Sequence, residues 1–253
     1  MSRASEATTA SSEPSERLAA SFRDPSGRVV LYRNRVFRIV NQSGMGDLAA
    51  FLVSATGRKL VDDGVVTATR ELSHDEVSAL RSNSSFADLA GETEAVHILE
   101  HDRVSFPSYP YEWPSEMLFS AGELTMNLAR KLLPGGFGIK DATPYNVLFR
   151  GPRPVFVDVL SFERRNPGDS IWLPYAQFVR TFLLPLLVAK HFGVPPAHTL
   201  LTRRDGLEPE EVYRWLSPRQ KLSPQFLSLV SMPCWLASKY EQKSTTIHKG
   251  DQS

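Results

Sequence analysis

Cysteine is almost absent from this chain: Cys234 is the only one among 253 residues, so no disulfide can form within it. A single thiol also excludes a zinc site built from several cysteines, and both absences suit a reducing, cytoplasmic setting. The surrounding sequence, SMPCWLA, is apolar and predicts a buried thiol rather than a nucleophile.

An excess of charge is also missing, since the net charge is only +1. Nucleic acids and anionic membranes attract strongly basic surfaces, so we expect neither as a partner.

Long apolar runs are lacking as well. The most apolar stretch, Ile171–Phe192, contains Arg180, Pro185 and Lys190. It therefore predicts a buried core helix rather than a segment that crosses a bilayer.

Both ends of the chain lack a continuous apolar core. Residues 1–21 are rich in Ser, Ala, Thr and Glu, which predicts a disordered tail and not a secretory signal. Residues 241–253 are polar and predict a loose tail.

What the sequence does contain is a change of pattern near residue 115. Before it, Val29–Tyr32 and Arg35–Val40 predict a hairpin, and Ser73 with Glu76 predicts a capping box that opens a helix at His74–Arg81. After it, helical spacing dominates. The further predicted elements are a helix in Asp47–Leu60, strands at Val65–Thr69 and Ala95–Leu99, a helix from Glu116 that stops at Pro134–Gly136, a hairpin of Val147–Phe149 with Val155–Val157, and helices at Leu173–Phe192, from Glu208 and over Pro224–Lys239.

The segment KDATPYNVLFRGPRPVFVDVLSFE, residues 140–163, concentrates the residues that suit phosphoryl transfer. Asp141 and Asn146 have the D-x-x-x-x-N spacing of a kinase catalytic loop, and Asp158 follows an apolar strand. In such chemistry one carboxylate orients or deprotonates the attacking hydroxyl, while a carboxylate and an amide hold magnesium. The alternative interpretation is that these Asx residues only form turns.

This segment resembles the catalytic loop and metal-binding strand of the aminoglycoside-phosphotransferase branch of the protein-kinase-like superfamily. The resemblance implies an α+β, two-lobed fold with a reduced N-terminal lobe and a mainly helical C-terminal lobe. We expect the small lobe at residues 22–104, a hinge at 105–114 that includes FPSYPYEWP, and the helical lobe with the catalytic-loop hairpin at 115–240.

By that resemblance Asp141 is the catalytic base, Asn146 and Asp158 bind the metal, and the cofactors are Mg²⁺ and ATP. Lys140 is expected to contact a phosphate and Tyr111 to stack on the adenine. Each has a simpler alternative, a solvated loop charge for Lys140 and, for Tyr111 together with Tyr109 and Trp113, plain packing between lobes.

The N-terminal half departs from the kinase pattern. Gly44-Met45-Gly46 is placed to open a helix rather than a glycine-rich hairpin, and Lys59 lies in a helical pattern rather than in a strand. The N-terminal half therefore has no recognisable glycine loop and strand lysine to hold the phosphates of a nucleotide. This leaves open a pseudokinase scaffold that binds no nucleotide.

A second resemblance covers more of the chain, from about Phe22 to about Lys239. The stretches FPSYPYEWP, KDATPYNVLF and DVLSFERRNPGDSIWLPYAQFVRTFLLPLL resemble a bacterial family of class I SAM-dependent methyltransferases, in which such a module precedes the methyltransferase domain. No glycine-rich turn that would bind SAM follows Asp158. The partner is then a small-molecule substrate, or a methyltransferase domain that this module serves without chemistry of its own.

Overall fold

The fold mixes strands and helices in a computed structural model that describes residues 27–90, 97–166, 168–169 and 171–237. The predicted α+β class is therefore confirmed, while the kinase-like, two-lobed arrangement stays a prediction. Both predicted tails, 1–21 and 241–253, fall outside the described residues. The described residues divide into two compact units, the first up to Met45 and from Thr69 to Arg103, the second from Gly46 to Ala68 and from Val104 onward.

The first unit is built on a four-stranded antiparallel sheet of β1 Gly27–Tyr32, β2 Arg35–Val40, β3 Thr69–Glu71 and β4 His97–His101. The strand order is β1-β2-β4-β3. The predicted hairpin is confirmed, and Arg33 and Asn34 form its two-residue turn with positive φ angles of 47° and 65°. The strand predicted at Ala95–Leu99 is described only from His97 and runs on to His101.

Four helices lie between these strands along the chain: α1 Gln42–Val53, α2 Ala55–Asp62, α3 His74–Arg81 and α4 Ser84–Ala90. The capping box predicted for α3 is present, with Ser73 and Glu76 each bonding the other's backbone N–H. The helix predicted in Asp47–Leu60 is found as α1 and α2, which Ser54 separates and caps. The core of the first unit consists of Val30, Phe37, Ile39, Leu72, Phe86 and Ile98.

Residues 46–68 group with the second unit, although the sequence analysis expected residues 22–104 to form one lobe. Phe51 stacks on Phe162 at 3.9 Å between ring centroids. Val66 forms an isolated parallel bridge with Phe156. The strand predicted at Val65–Thr69 is reduced to this bridge and to Thr69, which begins β3. The N–H groups of Val65 and Val66 bond Leu60 O at the end of α2.

The second unit continues with α5 Ser115–Leu132, which ends in a 3₁₀ turn and Gly136 at φ 74°. Left-handed backbone of this kind favours glycine, which agrees with the helix end predicted at Pro134–Gly136. Two short antiparallel pairs follow, between β5 Phe137–Ile139 and β8 Phe162–Arg164, and between β6 Val147–Arg150 and β7 Arg153–Phe156. The second of these is the predicted hairpin, whereas the sequence analysis missed β5 and β8.

Helices make up the rest of this unit. They are α6 Tyr175–Phe178 and α7 Leu184–Phe192 with a π-helical turn at Val179–Leu183 between them, α8 Pro196–Thr202, α9 Pro209–Trp215, α10 Pro218–Lys221, and α11 Pro224–Phe226 followed by a second π-helical turn at Leu227–Ser231. The buried side chains of α7, α9 and α11 share one core. Within the part of the chain that the structure describes, no helix is both long and apolar enough to cross a membrane.

Candidate functional site

The loop between β5 and β6 carries Asp141 and Asn146. The Asn146 side chain is 8% exposed, and its amide nitrogen donates to the backbone oxygen of Asp141 at 3.1 Å. The same nitrogen donates to Ser161 Oγ at 3.3 Å. The Asn146 backbone is fixed as well, since its carbonyl accepts from Val157 N at 2.8 Å. The predicted loop asparagine therefore connects the Asp141 loop to the segment that carries Asp158.

Ser161 completes this connection. Its hydroxyl donates to Asp158 Oδ2 at 2.5 Å, and the residue is 1% exposed. Asp158 is half-buried just before the 3₁₀ turn Val159–Ser161. One continuous set of hydrogen bonds thus links the Asp141 backbone, Asn146, Ser161 and Asp158. The structure brings together the three residues that the spacing singled out, and Ser161 is the member that the sequence analysis missed.

A second set of hydrogen bonds holds the Asp141 loop, and it involves the helical segment that contains Gln177 and Thr181. Ala142, the next residue, donates its N–H to Gln177 Oε1 at 2.7 Å, and its carbonyl lies 3.3 Å from the Thr181 hydroxyl. Both partners come from α6 and the π-helical turn that follows it. Turns of this type often occur at functional sites. Neither Gln177 nor Thr181 has a sequence signal, because one lies in a short helix and the other inside an apolar run.

The donor set at this site fits magnesium. Mg²⁺ prefers oxygen ligands, and at nucleotide sites it uses one or two carboxylates together with phosphate oxygens and water. Asp158 supplies a carboxylate, and Asn146 offers its amide oxygen because its amide nitrogen is engaged by Asp141 and Ser161. Groups of three or more His, Cys, Asp and Glu side chains suited to a metal do not occur among the described residues, and a magnesium–nucleotide site needs none.

The two residues predicted to contact ATP are both exposed. Tyr111 is 39% exposed, and its ring stacks on Tyr109 at 5.7 Å between centroids. Lys140 is anchored by its backbone, whose N–H donates to Ser161 O at 2.7 Å, and its side chain is directed away from the core. Both side chains are accessible to a ligand, and their nucleotide contacts remain a prediction.

Two other side chains of the predicted hinge have structural partners. Trp113 is 1% exposed and packs edge-on against Phe149, with 5.0 Å between ring centroids. A ring buried in this way does not serve as a stacking platform for adenine. The Glu112 carboxylate accepts from Tyr109 N at 2.6 Å, so it caps a 3₁₀ turn.

Tyr145, beside Asn146, was not singled out by the sequence analysis. Its hydroxyl donates to Leu200 O at 3.1 Å, which ties the loop to α8. The Arg204 guanidinium lies 4.8 Å from the centre of its ring. Burial raises the pKa of the Tyr145 phenol, with Arg204 acting in the opposite direction. Tyr145 is therefore a neutral hydrogen-bond donor at physiological pH.

Three further polar side chains that could bind a ligand have partners within the protein. His97 pairs with Glu71, and His101 Nδ1 lies 2.8 Å from Thr69 Oγ1. Arg165 donates to Asp169 O and Ile171 O and shapes the loop after β8. These contacts agree with structural roles.

The structure also places the two glycines, the lysine and the cysteine that the sequence analysis discussed. Gly44 and Gly46 lie inside α1, as expected. Lys59 lies in α2 and pairs with Asp63 at 3.4 Å. Cys234 packs at the edge of the second unit's core. Burial raises the pKa of its thiol, which disfavours the reactive thiolate.

Comparison with known proteins finds a relative that matches most of the chain. Over 235 residues, 93% of this chain, the sequence is 30% identical to the nodulation protein NoeA of Rhizobium meliloti (strain 1021). The chain covers 46% of NoeA, so it spans about half the length of that curated relative. No protein-family model matches the chain. The chain is thus similar along nearly its whole length to part of a nodulation protein.

Proposed function

We propose that the second unit binds a magnesium–nucleotide complex and transfers its terminal phosphoryl group to a small hydroxyl compound. The observation that carries this proposal is the set of hydrogen bonds that joins the Asp141 loop, Asn146, Ser161 and Asp158. Turn-forming Asx residues bond their own local backbone, as Asn146 does at Asp141 O. The bond from Asn146 to Ser161 spans fifteen positions and goes beyond such a turn, because it joins the Asp141 loop to the segment that carries Asp158.

Each residue then has a separate role. Asp158 and Asn146 hold the metal ion through oxygen, and the exposed Asp141 carboxylate orients or deprotonates the acceptor hydroxyl. Lys140 offers a positive charge to a phosphate, and Tyr111 offers a ring face to the base. When bound, the magnesium–nucleotide complex supplies the phosphoryl group and neutralises its charge.

A second candidate is a non-catalytic module that serves a methyltransferase domain. The observation that favours it is the match to NoeA. The match includes 93% of this chain but only 46% of NoeA. A sequence that corresponds to part of a longer protein is compatible with an accessory module. In that case the unit binds a protein partner and no nucleotide.

Ligand-induced thermal stabilisation separates the two candidates. With ATP and Mg²⁺ at about a hundred times Kd, binding stabilises the folded protein by about 2.7 kcal/mol, which raises the melting temperature by several degrees. Asp158→Asn should abolish this rise, because it removes the charged metal ligand. Asp62→Asn is the control, an exposed carboxylate at the end of α2 in the same unit, and it should retain the full rise.

Asp141→Ala adds a second arm. It should leave the magnesium-dependent stabilisation in place and abolish ATP turnover, since Asp141 acts on the acceptor rather than on the metal. A wild-type melting temperature unaffected by ATP and Mg²⁺ would refute the proposal. Together with a stable complex between this chain and a SAM-dependent methyltransferase domain, that result would establish the second candidate.

A further inference from the structure

A buried hydroxyl lies between the two proposed metal ligands. Ser161 Oγ is 2.5 Å from Asp158 Oδ2 and 3.3 Å from Asn146 Nδ2. With 1% of the residue exposed, water has little access to replace either bond. Removal of the hydroxyl would therefore leave both contacts unmade.

Serine suits this position because one hydroxyl both donates and accepts. It donates its proton to the Asp158 carboxylate and accepts from the Asn146 amide. Bonds to an ionised carboxylate are shorter and stronger than neutral ones. Alanine offers neither function, and cysteine offers only a weak version of both.

The Ser161 backbone is itself fixed at both ends. Its N–H donates to Asp158 O at 3.1 Å, and its carbonyl accepts from Lys140 N at 2.7 Å. Phe162, the next residue, begins β8, so Ser161 lies at the end of the β5–β8 strand pair. It has little freedom to follow Asp158 or Asn146 if either moves.

We propose that Ser161 is a positioning residue that sets the two metal ligands relative to each other. It engages one oxygen of Asp158 and the nitrogen of Asn146, and so fixes the orientation of the carboxylate and of the amide that would hold a divalent cation. Ser161 does not touch the cation itself. This inference rests on the proposed magnesium–nucleotide function, and hydrogen-bond partners of metal ligands typically account for 10- to 100-fold in metal affinity.

The test compares Ser161→Ala with a matched control, Ser231→Ala. Ser231 is another fully buried serine of the second unit, and its hydroxyl donates to Lys221 O at 2.9 Å. Mn²⁺ is titrated by electron paramagnetic resonance in the presence of a non-hydrolysable ATP analogue. Ser161→Ala should weaken Mn²⁺ binding about 10- to 100-fold, and Ser231→Ala should leave it unchanged. The loss of thermal stability should be similar in both variants.

A second readout concerns position and requires no ligand. The side-chain amide of Asn146 gives a signal in a ¹⁵N–¹H correlation spectrum, identified by its disappearance in Asn146→Asp. Ser161→Ala should shift this signal and Ser231→Ala should not. If Ser161→Ala does not fold, Ser161→Cys replaces it, with an expected Mn²⁺ affinity between wild type and the predicted alanine value.

The outcomes are distinguishable. If wild type binds Mn²⁺ and the Ser161 variants bind it equally well, the role of Ser161 is refuted and the proposed function survives. An Asn146 signal that stays in place in Ser161→Ala also refutes that role. If wild type itself binds no Mn²⁺ with the nucleotide analogue, the metal site fails, and the inference fails with it.

Discussion

Charged residues of β2, β3, β4 and α3 form a linked series of ion pairs in the first unit. Arg35 pairs with Glu100 at 2.6 Å, Arg70 pairs with the same carboxylate at 2.5 Å, and Arg70 also pairs with Glu76 at 2.9 Å. These side chains are partly exposed, so each pair contributes little to stability by itself. Arg35 and Arg70 hold the pKa of Glu100 below its usual value.

Glu76 gives a prediction about pH. Arg70 and, next, the Ser73 N–H lower the pKa of this carboxyl from 4.5 to about 2. Because the folded-state pKa is depressed, the stabilisation from Glu76 is present above pH 4.5 and is lost as the pH falls toward 2. NMR titration of the Glu76 carboxyl carbon should give a midpoint near 2. In Arg70→Gln the midpoint should rise, and a wild-type midpoint near 4.5 would contradict the assignment.

At the residue scale, spacing alone indicated three candidate site residues. Asp141, Asn146 and Asp158 stand at the intervals of a kinase catalytic loop, and hydrogen bonds through Ser161 link them in the structure, while their roles stay predictions. Ser161 and Gln177 could not be predicted in this way. Serine and glutamine are common residues, and the bonds of Ser161 to Asn146 and of Gln177 to the Ala142 backbone depend on how segments 15 and 35 positions apart pack.

Among the secondary-structure elements, the β1–β2 turn is held in an unfavourable backbone conformation. Arg33 and Asn34 both have positive φ, at 47° and 65°. Such a turn matches the twist of a hairpin but favours Asn-Gly. Asparagine tolerates this region, whereas arginine does so at a cost. The turn residues therefore limit the stability of an otherwise regular hairpin.

Replacing the turn by Asn-Gly, with Arg33→Asn and Asn34→Gly, should stabilise the protein. We expect about 0.5–1 kcal/mol, because both residues then adopt positive φ with less strain. Arg33→Val is the opposing control and should destabilise by about 1–2 kcal/mol, since a β-branched residue strongly disfavours this conformation. Urea unfolding followed by circular dichroism measures both changes. Equal stability in the two variants would mean that the turn carries no strain.

The elements that the sequence predicted are those with local signals. Ser73 and Glu76 indicate the start of α3, and the apolar runs on both sides of Gly151-Pro152 indicate the β6–β7 hairpin. The β5–β8 pair has no such signal. Its strands have three residues each, and Phe137 pairs with Arg164 across 27 positions of sequence. Short strands paired at that separation are specified by tertiary packing rather than by propensity.

At the scale of the whole molecule, each unit is assembled from separate stretches of sequence. Residues 46–68 lie between the strands β2 and β3 of the first unit along the chain, yet they pack in the second. A sequence read segment by segment places them with their neighbours. Their actual placement depends on Phe51, which stacks on Phe162, and on Val66, which bridges Phe156. Both contacts join residues about ninety or more positions apart.

Two matched phenylalanines test this assembly. Phe51 is fully buried and lies 3.9 Å from Phe162 and 5.7 Å from Phe137, centroid to centroid. Phe86 is equally buried in the first unit, 5.3 Å from Tyr32 and 5.5 Å from Phe37. Either Phe→Ala substitution should destabilise its own unit by about 3–5 kcal/mol, because it removes a ring and leaves a cavity.

Hydrogen exchange followed by mass spectrometry then reports which unit opens. Phe51→Ala should accelerate exchange in β5 and β8 while β1 and β2 keep their protection, because residues 46–68 belong to the core of the second unit. Phe86→Ala should show the reverse pattern. Faster exchange of β1 and β2 in Phe51→Ala, with β5 and β8 unchanged, would place residues 46–68 in the first unit. Since β8 directly follows Ser161, the expected result would also make this inserted segment a support for the proposed metal site.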